Sequence, residues 1–288
     1  MAQNIIFGYP NRTDEGTLSG GSWQASLPLA NLQSRVFAKV ARSTDATEAS
    51  TTFTIDLGQE RTIGVLGLVG HNISVDGTVR LRGAATQAEL TTNPMYDSGY
   101  VNGWPSGMVP LDLLEWEDNN FWLGTLSPES RAGYQSPFTH TFSRTTTRWW
   151  EIDISDTTNA DGYLQIGRLF LADTWQPAYN MSYGLSLRYE DQSQIETSLG
   201  GVDYFDGKTK YRITRFDLDW LSDEEAYTRI VEMQRMLGIS GELLIVPDPD
   251  DVTNMPRRAY VGRLKSIGEL VHDRFGNYRT AVEVKELI

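Results

Sequence analysis

Apolar and polar residues alternate at period two in short segments along the first half of the chain, and this pattern constrains the fold most. Residues 51–57 place Phe53, Ile55 and Leu57 on one face, which is typical of a half-buried strand. The nearly continuous apolar run 63–69 is typical of a strand buried on both faces. Further strands are predicted at residues 75–81, 149–154 and 164–171. Many short strands with turns between them predict a β-sandwich or jelly roll.

The pattern changes near the proline at position 177. Strands are predicted at 183–189 and 210–220, followed by the strongest helix signal in the chain, at about 222–237. Ser222 and Glu225 have capping-box spacing, and Gly238 follows the last helical turn. An apolar stripe is formed by Ala226, Ile230, Met233 and Leu237. Strands resume at 242–246, 258–267 and 279–284. We therefore predict a mainly β protein, with a sandwich domain at 1–176 and a smaller α+β domain at 177–288.

Charge and composition exclude several classes of function. The net charge is −13, whereas nucleic-acid binding needs clustered basic residues. The chain has no cysteine, which excludes disulfides, thiolate nucleophiles and cysteine-bound zinc. Its start lacks the features of a secretory signal, and it contains no apolar run of membrane-spanning length. We expect synthesis in the cytoplasm without a signal peptide and no membrane insertion.

Catalytic motifs are missing from the sequence. The histidines His71, His140 and His272 lie far apart without a metal-ligand spacing. No nucleophile elbow, P-loop or dinucleotide fingerprint is present. Carboxylate pairs for glycoside hydrolysis are defined by their distance in space, so Glu115, Glu117 and Asp118 keep a hydrolase open as an alternative. We predict that the chain is not an enzyme and has no catalytic residue.

The acidic cluster Asp248, Asp250 and Asp251 invites comparison with a calcium loop. An EF-hand needs glycine at the sixth position and glutamate at the twelfth. Counted from Asp248, these positions hold Thr253 and Ala259. The prolines on either side favour a solvated turn, and we predict no metal site.

A long segment rich in aromatic residues, about residues 84–140, interrupts the strand pattern. Loops of this length are usually functional or flexible. Its aromatic residues have two open interpretations. They fill a small satellite core, or they form an exposed surface that binds a protein or stacks on a sugar. The candidate contact residues are Trp104, Trp116, Trp122 and Tyr134.

Several segments together resemble a known fold. Residues 22–25 (SWQA), 29–32 (LANL) and 53–58 (FTIDLG), with the apolar strand 65–69, are similar to the galactose-binding or discoidin-like sandwich. The continuations 70–74 (GHNIS), 77–81, 148–154 and 162–171 resemble the version found in phage and prophage virion proteins. The second half is similar to partner domains of those proteins, with Gly200 and Gly201 before a strand and Gly238 after the helix.

The resemblance implies a distal-tail-like structural protein of a bacteriophage tail tip or baseplate, located in the virion. It implies a homo-oligomeric ring, a hexamer or a trimer, with tube and hub proteins as partners and the sandwich presented outward for subunit or host contact. The alternative is a carbohydrate-binding adhesin or receptor-binding protein that uses the aromatic insert on a host-surface glycan. Lectin-like relatives often hold a structural calcium, but no residue set here matches that site, so no cofactor is predicted.

Overall fold

The computed structural model describes residues 3–108, 116 and 138–288. They form two compact units, one containing residues 1–175 and 244–260, the other containing residues 176–243 and 261–288. The division at 176 predicted from sequence leaves residues 244–260 in the second domain. The structure groups them with the first unit, because Leu244, Ile245 and Val246 pair with the strand Ile6–Gly8. Local sequence patterns carry no information about such a distant pairing.

Unit 1 is built on two long strands that pair along most of their length. The strand predicted at 51–57 and the apolar run at 63–69 are one element, β4, with register shifts against β8 between Asp56 and Arg61 and between Ile63 and Val65. Gly58, with φ of 74°, lies between the two predicted strands and allows the chain to continue. The strands of this unit up to the aromatic insert are β1 (Ile6–Gly8), β2 (Thr17–Ser19), β3 (Ala41–Arg42), β4 (Phe53–Val69), β5 (Thr78–Ala84), β6 (Tyr96–Asp97) and β7 (Val101–Asn102).

The aromatic insert, predicted to be irregular over 84–140, contains β6, β7 and a short helix in its described part. β8 already begins at Phe138, because residues 138–147 pair with the second half of β4. The remaining strands of the unit are β8 (Phe138–Ser155), β9 (Gln165–Ile166), β10 (Arg168–Ala172), β11 (Thr174–Trp175) and β16 (Leu243–Val246). Its short helices are α1 (Glu48–Thr51), α2 (Glu89–Thr92) and α4 (Met255–Arg258), with 3₁₀ turns at Thr13–Glu15 and Leu29–Gln33.

The antiparallel sheet of unit 1 has the order β10-β4-β8-β5-β6, with β2 also on β4 and β7 also on β5. β11 and β16 flank β1 outside this sheet, and β3 pairs with β9. One continuous core contains side chains of β4, β5, β8 and β10 together with Leu29 and Leu32 from the chain before them. Trp150 at its centre has no exposed surface. This arrangement confirms the mainly β class and gives unit 1 one continuous core on its antiparallel sheet.

Unit 2 contains one antiparallel sheet, a separate hairpin and the main helix. Its strands are β12 (Ser186–Glu190), β13 (Gln194–Thr197), β14 (Asp203–Asp206), β15 (Tyr211–Leu221), β17 (Tyr260–Leu264), β18 (Val271–Arg274) and β19 (Asn277–Glu286). β19 lies between β17 and β15, β12 is the edge strand beyond β15, and β18 pairs with β19. β13 pairs with β14 in a two-stranded sheet.

The helix α3 confirms the capping prediction. It runs over Asp223–Glu225, Ala226–Val231 and Glu232–Leu237, and its middle segment is π-helical. The Ser222 hydroxyl accepts the backbone N–H of Glu225, whose carboxylate in turn accepts the backbone N–H of Ser222. The predicted stripe of Ala226, Ile230, Met233 and Leu237 is buried, and Gly238 follows with φ of 51°. The π turn has no signal that period-based reasoning identifies.

Candidate functional site

A cluster of an aromatic ring and three charged groups lies on the surface of unit 1. We call it the loop-end cluster: Glu48, Arg80, Asp97 and Tyr100. Glu48 is the first residue of α1, Arg80 lies on β5, and Asp97 and Tyr100 flank the turn between β6 and β7. Pairing of β6 and β7 with β5 brings that turn beside Arg80. Half of Tyr100 is exposed, so its ring is available to a ligand.

Hydrogen bonds fix the geometry of the loop-end cluster. Arg80 donates to both carboxylate oxygens of Asp97, with Nε–Oδ1 at 2.9 Å and Nη2–Oδ2 at 2.6 Å. Its guanidinium carbon lies 5.4 Å from the centre of the Tyr100 ring, within cation–π range. The Tyr100 hydroxyl donates to Glu48 Oε1 at 2.5 Å. The ring is therefore held from both ends.

Hydrogen bonds within this cluster shift the pKa values of Asp97 and Tyr100. The hydrogen bonds from Arg80 lower the pKa of Asp97 from 3.8 to about 2, and the backbone N–H of Gly99 adds to the effect. The hydrogen bond to Glu48 raises the pKa of Tyr100 above its ordinary value. At neutral pH the Asp97 carboxylate beside Arg80 is therefore ionised and the Tyr100 phenol is neutral. An exposed ring beside fixed donors and acceptors can stack on a sugar face and bind its hydroxyls.

The structure places the four predicted contact residues in different environments. Trp104 is buried, and its indole N–H donates to the backbone oxygen of Ile73 at 2.8 Å. Its ring therefore offers almost no stacking surface. Trp116 is 71% exposed, whereas Trp122 and Tyr134 lie outside the described residues. The contact surface predicted for Trp116, Trp122 and Tyr134 stays a prediction.

The histidines and the acidic turn have partners within the protein. His71 Nδ1 accepts the backbone N–H of Ile73 at 3.3 Å, as expected for a loop histidine. His140 Nε2 lies 2.8 Å from the Tyr96 hydroxyl, and burial lowers its pKa. In the acidic turn, Arg258 lies 3.0 Å from Asp248 and 3.1 Å from Asp251. Within the described residues, no group of three or more histidine or acidic side chains is arranged to hold a metal ion.

Unit 1 also contains a cavity of about 640 Å³. Val101, Phe138, Met255 and Pro256 contribute apolar walls, and its described lining includes no Asp, Glu, Lys or Arg. Thr139 Oγ1 is buried there without a hydrogen-bond partner among the described residues. The cavity suits an apolar group better than a charged one.

Unit 2 exposes an unusual number of large apolar side chains. On the edge strand and just before it, Leu185, Leu187 and Tyr189 are 37%, 39% and 59% exposed. We call these three residues the edge stripe. The hairpin formed by β13 and β14, which we call the arm, exposes Ile195, Leu199, Val202, Tyr204 and Phe205. Exposed apolar side chains that neighbour each other in this way mark interaction sites.

The arm was not predicted from the sequence. Gly200 and Gly201 were expected to precede a strand, and Gly201 adopts a φ of 78° between β13 and β14. The flanking strands are only four residues long and alternate weakly, with Ile195 as the one aliphatic residue of β13. The glycine pair therefore indicated the turn of the hairpin, but the two short strands on either side of it were not predicted.

Within the part of the chain that is described, no helix is long and apolar enough to cross a membrane.

Comparisons with known proteins find similarity at the level of structure. No protein-family model matches the chain, and no curated protein matches it. The lectin-binding domain of lectinolysin, solved with Lewis b, is 10% identical, with 57% of this chain and 96% of that chain covered and a TM-score of 0.38. A Streptococcus pneumoniae fucose-binding module is 12% identical over 57% and 94%, with a TM-score of 0.35. The family 32 carbohydrate-binding module of C. perfringens NanJ, solved with galactose, is 13% identical over 59% and 99%, with a TM-score of 0.37.

Proposed function

We propose that this protein is a structural subunit of a homo-oligomeric assembly, not an enzyme, and that unit 2 provides the contacts between subunits. The observation that carries the proposal is the apolar surface of the edge stripe and the arm. Groups of exposed large apolar side chains, as on the edge stripe and the arm, mark surfaces that bind other proteins. Stable subunit contacts bury such patches and are depleted in charge at their centre.

The setting that we propose is the tip of a bacteriophage tail, with the assembly in the virion and unit 1 available for contact with other subunits or with the host. Support for this setting comes from the resemblance of segments 53–58, 70–74 and 148–154 to virion proteins. The apolar surface of unit 2 supports assembly in general.

The mass of the purified chain in solution tests the assembly proposal. We expect multi-angle light scattering to give a multiple of the 32.4 kDa chain mass at micromolar concentration, and negative-stain images to show a closed particle. A monomer that persists at every accessible concentration, alone and with the other proteins of its particle, would overturn the proposal.

As a second candidate function we propose that unit 1 binds a glycan at the loop-end cluster. The specific observation is the half-exposed Tyr100 ring with Arg80, Asp97 and Glu48 fixed around it. The remaining donors of Arg80 and the remaining acceptors of Asp97 and Glu48 can hydrogen-bond to sugar hydroxyls, and the ring can cover an apolar sugar face. The candidate keeps the predicted glycan partner but moves the site away from Trp104, which is buried.

Glycan-array screening followed by calorimetry tests this second candidate. Tyr100→Ala is expected to weaken binding of any glycan found at least about tenfold, or about 1.4 kcal/mol, because the stacking surface is lost. Met95→Ala, an exposed residue of the same unit, is the matched control and leaves affinity unchanged. Equal affinity of both variants would place the glycan site elsewhere, and absence of any glycan ligand would remove this function.

A further inference from the structure

The cavity of unit 1 runs along an open edge of β8. Its lining includes four consecutive residues of that strand, 138–141. Consecutive side chains of a strand point to opposite faces of a sheet, so the cavity lies beside the strand and not over one of its faces. Among the described residues, this part of β8 pairs only with β4, and pairing with β5 starts at Trp149. The cavity therefore lies on the side of β8 that faces away from β4.

Two further segments of unit 1 form the other walls of the cavity. One wall comes from residues 101–106 and the other from residues 249–256. Arg257 Nη2 donates to the backbone oxygen of Met108 at 2.7 Å, directly after these two segments. This hydrogen bond ties the two walls together without a ligand, and small-molecule sites are usually formed in advance in this way.

The described lining of the cavity is uncharged at neutral pH. His140 is its one titratable side chain. Burial lowers the pKa of His140 below the ordinary 6.5, so the imidazole is neutral at pH 7. A charged ligand group that leaves water for such a lining loses its hydration without gaining an opposite charge. The cavity therefore selects against charged ligands.

One polar group in the cavity has no partner. Thr139 Oγ1 is buried and makes no hydrogen bond to any described residue. A buried hydroxyl without a partner is unfavourable, and this one can donate one hydrogen bond or accept two. A ligand that brings a hydroxyl or a carbonyl group to Thr139 removes this cost.

The volume of the cavity sets the size of the ligand. A cavity of about 150 Å³ holds benzene, whereas this cavity has a volume of about 640 Å³. It therefore has room for two or three rings, and it lies within the range of about 300–1,000 Å³ that is typical of ligand pockets.

We propose that this cavity binds an uncharged, largely apolar molecule of two or three rings, whose hydroxyl or carbonyl group pairs with Thr139. The rings displace water from the apolar walls at Val101, Phe138 and Met255. The cavity is a different site from the loop-end cluster and from the apolar surface of unit 2, so this inference does not depend on the proposed function.

2-Naphthol is the probe that tests the proposal, because it joins two apolar rings to one hydroxyl and is neutral at pH 7. Calorimetry with the full chain is expected to give a dissociation constant below about 1 mM. In TROSY spectra, the largest shifts are expected at residues 101–106, 138–141 and 249–256. No binding at the solubility limit of the probe, or shifts centred on other residues, would overturn the proposal.

Naphthalene-2-sulfonate is the matched probe for charge. It has the same two rings, and its sulfonate is expected to weaken binding at least about tenfold, because the lining offers no opposite charge. Equal affinity for the two probes would contradict an uncharged ligand.

The hydroxyl of Thr139 is tested by removing it alone. Thr139→Val is expected to weaken 2-naphthol binding about three- to tenfold, because one hydrogen bond is lost. Thr147→Val is the matched control and leaves the affinity unchanged. Thr147 lies on the same strand, and its Oγ1 is likewise buried without a partner in the described part of the chain, but it does not line the cavity. Equal affinity of the two variants would overturn the pairing with Thr139.

A side chain that fills the cavity gives an independent measurement. Ser106 lines the cavity at an exposed position, so Ser106→Trp brings an indole into the space that the rings need and is expected to remove measurable 2-naphthol binding. Ser26→Trp, at an exposed serine of unit 1 outside the described lining, is the control. Circular dichroism verifies that both variants fold. Undiminished binding to the Ser106→Trp variant would mean that the probe binds elsewhere, and the proposal fails.

Discussion

Unit 1 and unit 2 distribute their apolar side chains in opposite ways. In unit 1, aromatic and aliphatic residues of four strands meet in one core, and Phe53, Ile55, Trp150 and Ile152 have no exposed surface. In unit 2, a smaller core is accompanied by large apolar side chains that remain exposed along one edge and one hairpin. Hydrophobic content alone therefore does not show whether a unit is stable as a monomer. The deciding quantity is the fraction of its apolar surface that the chain buries within itself.

The largest expected difference between the units is in the cost of removing an aromatic ring. Trp150→Ala in the core of unit 1 should lower the free energy of unfolding by about 3–5 kcal/mol. Phe205→Ala, at a site that is 69% exposed, should change the unfolding of the monomer by less than about 0.5 kcal/mol and weaken only assembly. Urea titrations below the association concentration measure both. Similar losses of unfolding free energy in the two variants would show that the exposed ring of unit 2 contributes to monomer stability as much as the buried ring of unit 1.

The buried ion pair of unit 2 gives the next effect. Arg212 and Glu286 are both almost completely buried and hydrogen-bonded to each other. Glu286→Leu should cost about 3–5 kcal/mol, because the guanidinium loses its carboxylate in a low-dielectric site. The double variant Arg212→Met with Glu286→Leu is the matched control and should recover much of that loss. A double variant as unstable as the single one would show that packing, rather than charge, dominates there.

The capping box offers a smaller effect confined to unit 2. Ser222→Ala should lower the free energy of unfolding by about 1 kcal/mol, because the N–H of Glu225 loses its acceptor. Ser222→Asp keeps an acceptor and is expected to behave like the original protein. Thermal denaturation monitored by circular dichroism separates the two variants, and identical midpoints would argue that the cap is redundant.

The smallest effect is the pH dependence of the loop-end cluster. The pKa of Asp97 in the folded protein, about 2, is below the ordinary 3.8, so its pairing with Arg80 stabilises the folded state above pH 4. That contribution is lost as the pH falls from about 4 to 2. Asp97→Asn should lack this part of the acid dependence, as measured by urea titrations across that range. Parallel profiles for both proteins would mean that Asp97 pairs equally well in the unfolded chain.

Local signals predicted some elements well, and distant pairing decided the others. The helix at 222–237 was predictable because Ser222, Glu225, the apolar stripe and Gly238 all lie within one short segment. β4 was divided into two predicted strands at Gly58, because its continuity depends on pairing with β8 almost 100 residues later. The β16 segment was assigned to the wrong unit for the same reason.

The candidate sites were harder to predict than the fold. Aromatic residues were selected by their type and by the length of the insert, which does not distinguish the buried Trp104 from an exposed ring. The loop-end cluster joins residues 48, 80, 97 and 100, and only the sheet brings them together. The arm could be recognised as a candidate contact surface only from the exposure of its side chains, because its strands are too short to show a periodic pattern in the sequence.

The continuity of the arm with the sheet of unit 2 has a mechanical consequence. Antiparallel ladders are stiff along their strands and twist with a fixed hand, so a hairpin anchored at one end acts as a lever. The orientation of the arm tip relative to the sheet is then set by the twist accumulated between Glu190 and Thr197. The interruption at residues 191–193 and 207–210 therefore sets the direction in which the arm leaves the sheet. Lengthening that interruption by one residue pair would turn the arm while leaving the strands on either side intact.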